Sequence, residues 1–302
     1  MSNILPIAKS TTVGPLNAGR IAYGCWRMAG ATASEAQSKI EAALAVGINM
    51  IDTAPIYGFG KQGFGPAEAV LGEGMALGGL RDRVLMVTKG GIHPPNPYDS
   101  RAQTLIESCD DSLKRLRTDH IDLFLIHRPD LLAAHEEVAE ALTTLRTAGK
   151  IREAGVSNFS TDQLRALQSK LDFPLSASQP EFSAIHTDPL TNGDTDIAQE
   201  LGLCLMAWSP LGGGRLVPGA RGEPGSAEAR VLAVLEEIAG RNDVGIDHVA
   251  LAWVLAHPGV GSALIGTQSE ARIRESVKAF EVQMTRRDWY AVLEAARGEK
   301  MP

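Results

Sequence analysis

Short strand-like runs of apolar residues alternate along the chain with longer stretches whose apolar positions recur every three or four residues. The short runs are Arg20–Gly24, Asn49–Thr53, Val84–Lys89, Ile121–His127, Ile151–Val156, Leu175–Gln179, Leu203–Trp208 and Ser262–Ile265. The helix-like stretches between them are Ser34–Val46, Pro66–Leu77, Arg101–Leu116, His135–Ala148, Thr161–Gln168, Thr195–Leu201 and Ala227–Arg241. Parallel strands need a crossover between neighbours, so strict alternation predicts a parallel α/β sheet, and eight units close naturally into a (β/α)8 TIM barrel. An open doubly wound sheet is the competing architecture.

The punctuation agrees with that pattern. Ser34, ahead of Glu35 and Gln37, and Thr161-Asp162, ahead of Leu164 and Leu167, have the chemistry of helix N-caps. Gly47, Gly149 and Gly202 each follow a helical run and precede a strand, where a left-handed C-cap residue belongs. Residues Thr12–Gly19 suggest a β-hairpin able to plug the bottom of the barrel. Pro210–Gly225 is a long Gly/Pro-rich loop after the seventh strand, Asp247–Ala256 an extra helix before the eighth, and Thr285–Arg297 a C-terminal helix. No linker divides the chain, so residues 1–302 are expected to form one domain.

Composition narrows the class only moderately. The chain has 302 residues, 44% of them hydrophobic and 22% charged, enough to fill one barrel of about 250 residues plus insertions. A formal net charge of −7 makes nucleic acid a poor partner. Cys25, Cys109 and Cys204 are widely spaced and odd in number, which supports neither a disulfide framework nor a zinc knuckle and points to reduced thiols. The N-terminal segment MSNILPIAKSTTVG does not resemble a signal peptide, and no apolar run reaches the ~18 residues of a membrane span. The expectation is a cytoplasmic protein with no membrane partner and no metal, monomeric for want of an obvious interface segment.

In a parallel barrel, functional groups gather at the C-terminal ends of the strands. Asp52 ends NMID, Lys89 ends VLMVTK and His127 ends IDLFLIH, while Tyr57 opens the loop five residues past Asp52. Period-two alternation sets Lys89 on one face with Val87 and Leu85, and His127 with Leu125 and Leu123. Each residue alone is ordinary: a loop lysine, a solvated histidine, a capping aspartate, a packed tyrosine. Together they bring a carboxylate, an ammonium, a phenol and an imidazole to one end of three consecutive strands.

The segments INMIDTAPIYG (48–58), VLMVTKGG (84–91), HIDLFLIHRPD (120–130), REAGVSNFS (152–160), AWSPLGGGRL (207–216) and IGTQSEARIRES (265–276) resemble the aldo-keto reductase superfamily in order and spacing. The closing stretch MTRRDWYAVLEAARGEKMP is similar to a less characterised bacterial branch. The resemblance implies a (β/α)8 barrel using NADPH without a Rossmann domain, in keeping with the lack of GxGxxG after the first strand.

On that resemblance, hydride passes from a nicotinamide to a carbonyl carbon of a small-molecule aldehyde or ketone, and Tyr57 gives the proton to the oxygen. A phenol with an ordinary pKa of about 10 is a reluctant acid, and a cationic Lys89 beside it is expected to lower that value. Asp52 would hold the ammonium, and neutral His127 would orient the carbonyl; exchanged roles for His127 and Tyr57 are the alternative. The resemblance further implies nicotinamide contacts from Ser157, Asn158 and Gln179, ring stacking by Trp208, and a pyrophosphate loop begun by Ser209, Leu211 and Gly213 with Arg215 as charge partner. Thr267 and Arg272 would face the 2′-phosphate and Glu275 the adenine, with Gly24, Trp26, Asp52 and Gly266 completing the cofactor set. The best-known branch has a lysine at the position of Gly266 and an asparagine at that of Ser276. Both departures weaken the phosphate and adenine contacts; NADPH (NADP+) remains the expected cofactor because Arg272 is present, with NADH possible.

Trp26, Tyr57, Phe59, His127 and Arg128 are the expected substrate contacts, with the His93-Pro94-Pro95 loop nearby. Arg128 suits either a carboxylated carbonyl compound or the anchoring of its own loop. Two other classes compete. A metal-assisted lyase or hydrolase lacks a second ligand at suitable spacing. A regulatory or redox-sensing NADPH-binding barrel with slow turnover, as the potassium-channel β subunits illustrate for this fold, is the alternative function.

Overall fold

A computed structural model describes residues 3–60 and 63–302; Met1, Ser2, Lys61 and Gln62, part of the expected single domain, lie outside the described residues. All eight strand-like runs form strands. They are β3 (Ile21–Gly24), β4 (Met50–Asp52), β5 (Leu85–Gly90), β6 (Ile121–Ile126), β7 (Ile151–Ser157), β8 (Ala177–Gln179), β9 (Cys204–Ala207) and β10 (Ser262–Ile265). Each pairs parallel with the next, and β10 pairs with both β9 and β3, closing the barrel. All eight C-terminal ends consequently share one mouth.

The barrel interior is filled by Ala22, Met50, Val87, Leu123, Leu125, Ala177, Cys204, Met206 and Leu264, all buried. Leu85, Val87, Leu123 and Leu125 share this interior, as period two requires. Val13 and Ala18 join the same cluster from a hairpin of β1 (Ser10–Val13) and β2 (Leu16–Gly19). The hairpin thus plugs the bottom. The three cysteines are free and buried.

The outer ring is α1 (Ala33–Leu44), α2 (Pro66–Gly78), α3 (Ala102–Leu116), α4 (His135–Thr147), α5 (Thr161–Gln168), α6 (Asp194–Leu201) and α7 (Ala227–Asn242). Beyond these come α8 (Ile246–Leu255), α9 (Glu270–Glu275) and α10 (Arg286–Arg297). The stacked indoles of Trp253 and Trp289, 5.1 Å apart, fasten α8 to α10, each donating its ring N–H to the other's carbonyl.

Two caps shift. The N-cap of α1 is Thr32, not Ser34, and that of α5 is Ser160, not Thr161; each forms a reciprocal capping box, with Glu35 and with Gln163. An N-cap must hold extended backbone while its oxygen reaches the third helical N–H, and Thr32 and Ser160 do so. Gly47, Gly149 and Gly202 have the expected positive φ. Helix α9 was not foreseen: six residues long, it buries only Ile273 and therefore shows no periodicity. Among the described residues no helix is long and apolar enough to cross a membrane.

Candidate active site

Three strand ends bring Asp52, Lys89 and His127 to the mouth, and the turn after β4 folds Tyr57 back over them. Lys89 is fully buried and Asp52 is 1% exposed. The Lys89 Nζ donates to Asp52 Oδ1 at 2.7 Å, Asp52 Oδ2 at 2.8 Å, the Thr53 carbonyl at 2.9 Å and the Tyr57 hydroxyl at 3.0 Å. The Tyr57 hydroxyl in turn points its proton at Asp52 Oδ1 over a long 3.4 Å. A buried ammonium is tolerable only when paired and hydrogen-bonded, and the strand register meets that condition by setting Asp52 opposite Val87, two residues before Lys89.

Aromatic edges frame the phenol. Trp26 meets the Tyr57 ring edge-on at 4.9 Å, and the His127 ring lies 6.0 Å away on another side. Trp26 is 60% exposed and Phe59 is 50% exposed, so both present apolar surface at the rim. Phe59 continues through Phe64 to His93 in a run of edge contacts.

The electrostatics depart from the simple expectation for Tyr57. Burial, and then the Asp52 carboxylate, hold its pKa well above 10, against the smaller acidifying effect of Arg128. The Lys89 ammonium, held by both Asp52 oxygens, does not offset these larger effects. Burial also pulls Lys89 below its usual value, resisted by Asp52. His127 is held well below 6.5 by burial, then by the charges of Lys89 and Arg128, so its imidazole is neutral.

A second group adjoins the first. Gln179 Nε2 donates to Asp52 Oδ2 at 2.9 Å, Ser157 Oγ to the Gln179 carbonyl at 2.8 Å, and Asn158 Nδ2 to Ser157 Oγ at 2.8 Å. Trp208 Nε1 completes the chain, donating to Asn158 Oδ1 at 3.0 Å. Asn158 (φ 57°) and Ser209 (φ 50°) adopt left-handed backbone, as do Arg117 and Asp243. The latter two are helix C-caps; Asn158 and Ser209 instead follow β7 and β9 at the mouth, where strained backbone often marks a working site.

The other expected cofactor residues are more dispersed. Leu211 packs on the outer core, and Gly213 and Gly214 turn with φ of 71° and 100°, leaving open space where a Cβ would sit. Arg215 donates Nε to the Gly212 carbonyl in its own loop and reaches Glu228 of α7 at 3.5 Å. Thr267 accepts the Ser269 N–H, and Arg272 is exposed, its side chain without a hydrogen bond or ion pair among the described residues. Glu275 lies 3.7 Å from Lys278. Gly24 pairs with Asp52 across β3 and β4. The sequence reading missed Arg27, whose Nη1 donates to the Gly266 carbonyl at 3.1 Å and links the first and last loops of the mouth. A cation in the first loop, in a chain lacking lysine at 266, was the available signal.

Comparison with known proteins gives this geometry a context. The chain is 48% identical to a 6-dehydroglucose reductase of Novosphingobium aromaticivorans over 93% of either chain. It is 40% identical to a 6-dehydroglucose reductase of Agrobacterium fabrum, covering 95% of this chain and 97% of that one. Its fold superposes on the glycerol dehydrogenase of Gluconobacter oxydans with a TM-score of 0.84 at 26% identity, over 100% of this chain and 98% of the other. A thermostable aldo-keto reductase complexed with epalrestat gives 0.82 at 27% identity, over 95% and 99%. The model of the Aldo/keto reductase family matches residues 20–297, from the residue before β3 to the last residue of α10, and the chain belongs to that family of oxidoreductases.

Proposed function

We propose that the chain is an NADPH-dependent reductase of carbohydrate-type aldehydes, with Tyr57 as proton donor. The observation that carries this reading is the Tyr57 hydroxyl 3.0 Å from a Lys89 ammonium clamped by Asp52. The names of the two relatives at 48% and 40% identity support an aldehyde on a sugar skeleton.

The residues present fit a nicotinamide dinucleotide. Ser157, Asn158 and Gln179 form a prearranged set of amide and hydroxyl groups suited to a carboxamide, beside the half-buried face of Trp208. The open backbone at Gly213 and Gly214 suits close approach of phosphate, and Ser209, Leu211 and Arg215 belong to that loop. Thr267, Arg272 and Glu275 would hold the adenosine end, with exposed Arg272 supplying the charge for a 2′-phosphate. Gly24, Trp26 and Gly266 border the same mouth.

The bound cofactor supplies the hydride. Burial keeps the Tyr57 phenol fully protonated, the state required of a general acid, while Lys89 stands ready to stabilise the phenolate left after proton transfer. Neutral His127 donates an N–H to the substrate oxygen and orients it; Trp26 and Phe59 wall the substrate and limit water. In the oxidative direction Tyr57 accepts the proton.

Tyr57→Phe tests the reading. Removing the proton donor should cut turnover by roughly 10²–10⁴-fold, with NADPH affinity, read by tryptophan quenching, nearly unchanged. Aldehyde reduction at close to the wild-type rate would refute the assignment.

A further inference from the structure

We propose that Arg128 is a specificity-determining residue of this mouth, its guanidinium donating to two neighbouring hydroxyl oxygens of a polyhydroxy aldehyde beside the reacting carbonyl. The proposal rests on the reductase reading above and adds to it the group that selects the substrate.

Arg128 follows His127 directly, so the end of β6 delivers both to the same rim. It is half-buried, and among the described residues its side chain has no hydrogen bond or ion pair. The nearby carboxylates are committed elsewhere. Asp130 accepts the backbone N–H groups of Ser100 and Leu132, both at 2.9 Å, and Asp99 is held by Arg101 at 2.6 Å. Asp130 therefore anchors this loop, and Arg128 is left without a structural task. Other partly buried arginines of the fold, Arg81 and Arg115, have buried carboxylate partners.

Arg128 directly follows His127, whose ring lies 6.0 Å from that of Tyr57, so its chain position is at the reacting end of the barrel, and its charge acts on both groups. A guanidinium presents a planar fork of donors matched to paired oxygens. Trp26 and Phe59 offer exposed apolar faces for the C–H surface of a polyol. The sugar-type aldehyde of the proposed function carries neighbouring hydroxyl oxygens rather than a carboxylate, so a neutral oxygen pair is the ligand class.

The experiment compares kcat/KM for D-glyceraldehyde, propanal and succinic semialdehyde, with NADPH, in the wild type, Arg128→Gln and Arg128→Lys. The wild type is expected to favour glyceraldehyde over propanal. Arg128→Gln should shrink that preference by roughly 10- to 100-fold, the scale of lost charged hydrogen bonds, mainly through KM. Arg128→Lys, retaining charge without the fork, should recover only part of it. NADPH quenching of tryptophan fluorescence verifies that each variant is folded, and Arg128→Lys decides if Arg128→Gln is not. Equal losses on glyceraldehyde and propanal, or an unchanged ratio, would overturn the proposal. So would succinic semialdehyde being the favoured substrate and the one most affected, which would make the subsite a carboxylate site. A wild type inactive on all three would instead bring down the reductase reading itself.

Discussion

Asp52→Ala isolates the interaction on which the site depends. The mutation removes both carboxylate oxygens that accept from Lys89 and strands an ammonium with no exposed surface. Gln179 loses its acceptor as well. Removing one partner of a buried ion pair typically costs about 3–5 kcal/mol, because the remaining charge is uncompensated. Unfolding entropy of about 2.1 cal/mol/K per residue, applied to 302 residues, gives a slope of about 0.6 kcal/mol/K at the midpoint. The expected fall in Tm is therefore roughly 5–8 °C. Circular dichroism melts at pH 7 should be run without cofactor, because a bound ligand adds its own stabilisation. The double variant Asp52→Leu/Lys89→Met replaces the pair with apolar groups and should recover much of the loss, since hydrophobic replacement of a buried pair is often neutral or better. A single-variant Tm within 1 °C of wild type, or a double variant less stable than the single, would refute the claim that Asp52 compensates a buried Lys89 charge.

Three further outcomes concern His127 and the preference between cofactors. The folded-state pKa of His127 is depressed below 6.5, so its contribution to stability is complete above about pH 6.5 and lost as pH falls through the folded value. His127→Gln should flatten the fall in unfolding free energy between pH 6.5 and 5, measured in urea; an unchanged slope would count against a buried neutral imidazole. Arg272→Ala should weaken NADPH binding by roughly tenfold or more while sparing NADH, the scale of one charged contact. The wild-type ratio of efficiencies for the two cofactors should fall below that of relatives with lysine at the position of Gly266. Equal weakening for NADPH and NADH in the variant would remove Arg272 from the 2′-phosphate.

Strand ends were legible because period two, together with the glycines at 47, 149 and 202, determines where each run begins and which side chains face inward. The placement of Asp52, Lys89 and His127 follows from that pattern alone. Capping was less legible: Ser34 and Thr161 have the right chemistry, but only the extended backbone at Thr32 and Ser160 makes a cap, and composition does not reveal φ and ψ. The direction of the Tyr57 shift was missed for a related reason. Sequence spacing puts Lys89 beside the phenol but cannot show that Asp52 holds the same ammonium with both oxygens, which leaves burial and the carboxylate to dominate.

Arg128 illustrates the complementary limit. Its position beside His127 was plain, yet its lack of a side-chain partner among the described residues is a property of its neighbours: Asp130 is occupied by two backbone N–H groups and Asp99 by Arg101. The same reasoning connects the two halves of the site. One oxygen of Asp52 holds Lys89 and receives the Tyr57 hydroxyl, while the other is shared with Gln179, from which hydrogen bonds lead through Ser157 and Asn158 to Trp208. A single carboxylate thus holds both the proposed proton donor and the residues proposed for the nicotinamide. Its loss should disturb both together, whereas Tyr57→Phe, which leaves Asp52, Lys89 and Gln179 in contact, should affect the proton donor alone. That difference in cofactor affinity between the two variants is the signature expected of one continuous hydrogen-bonded site.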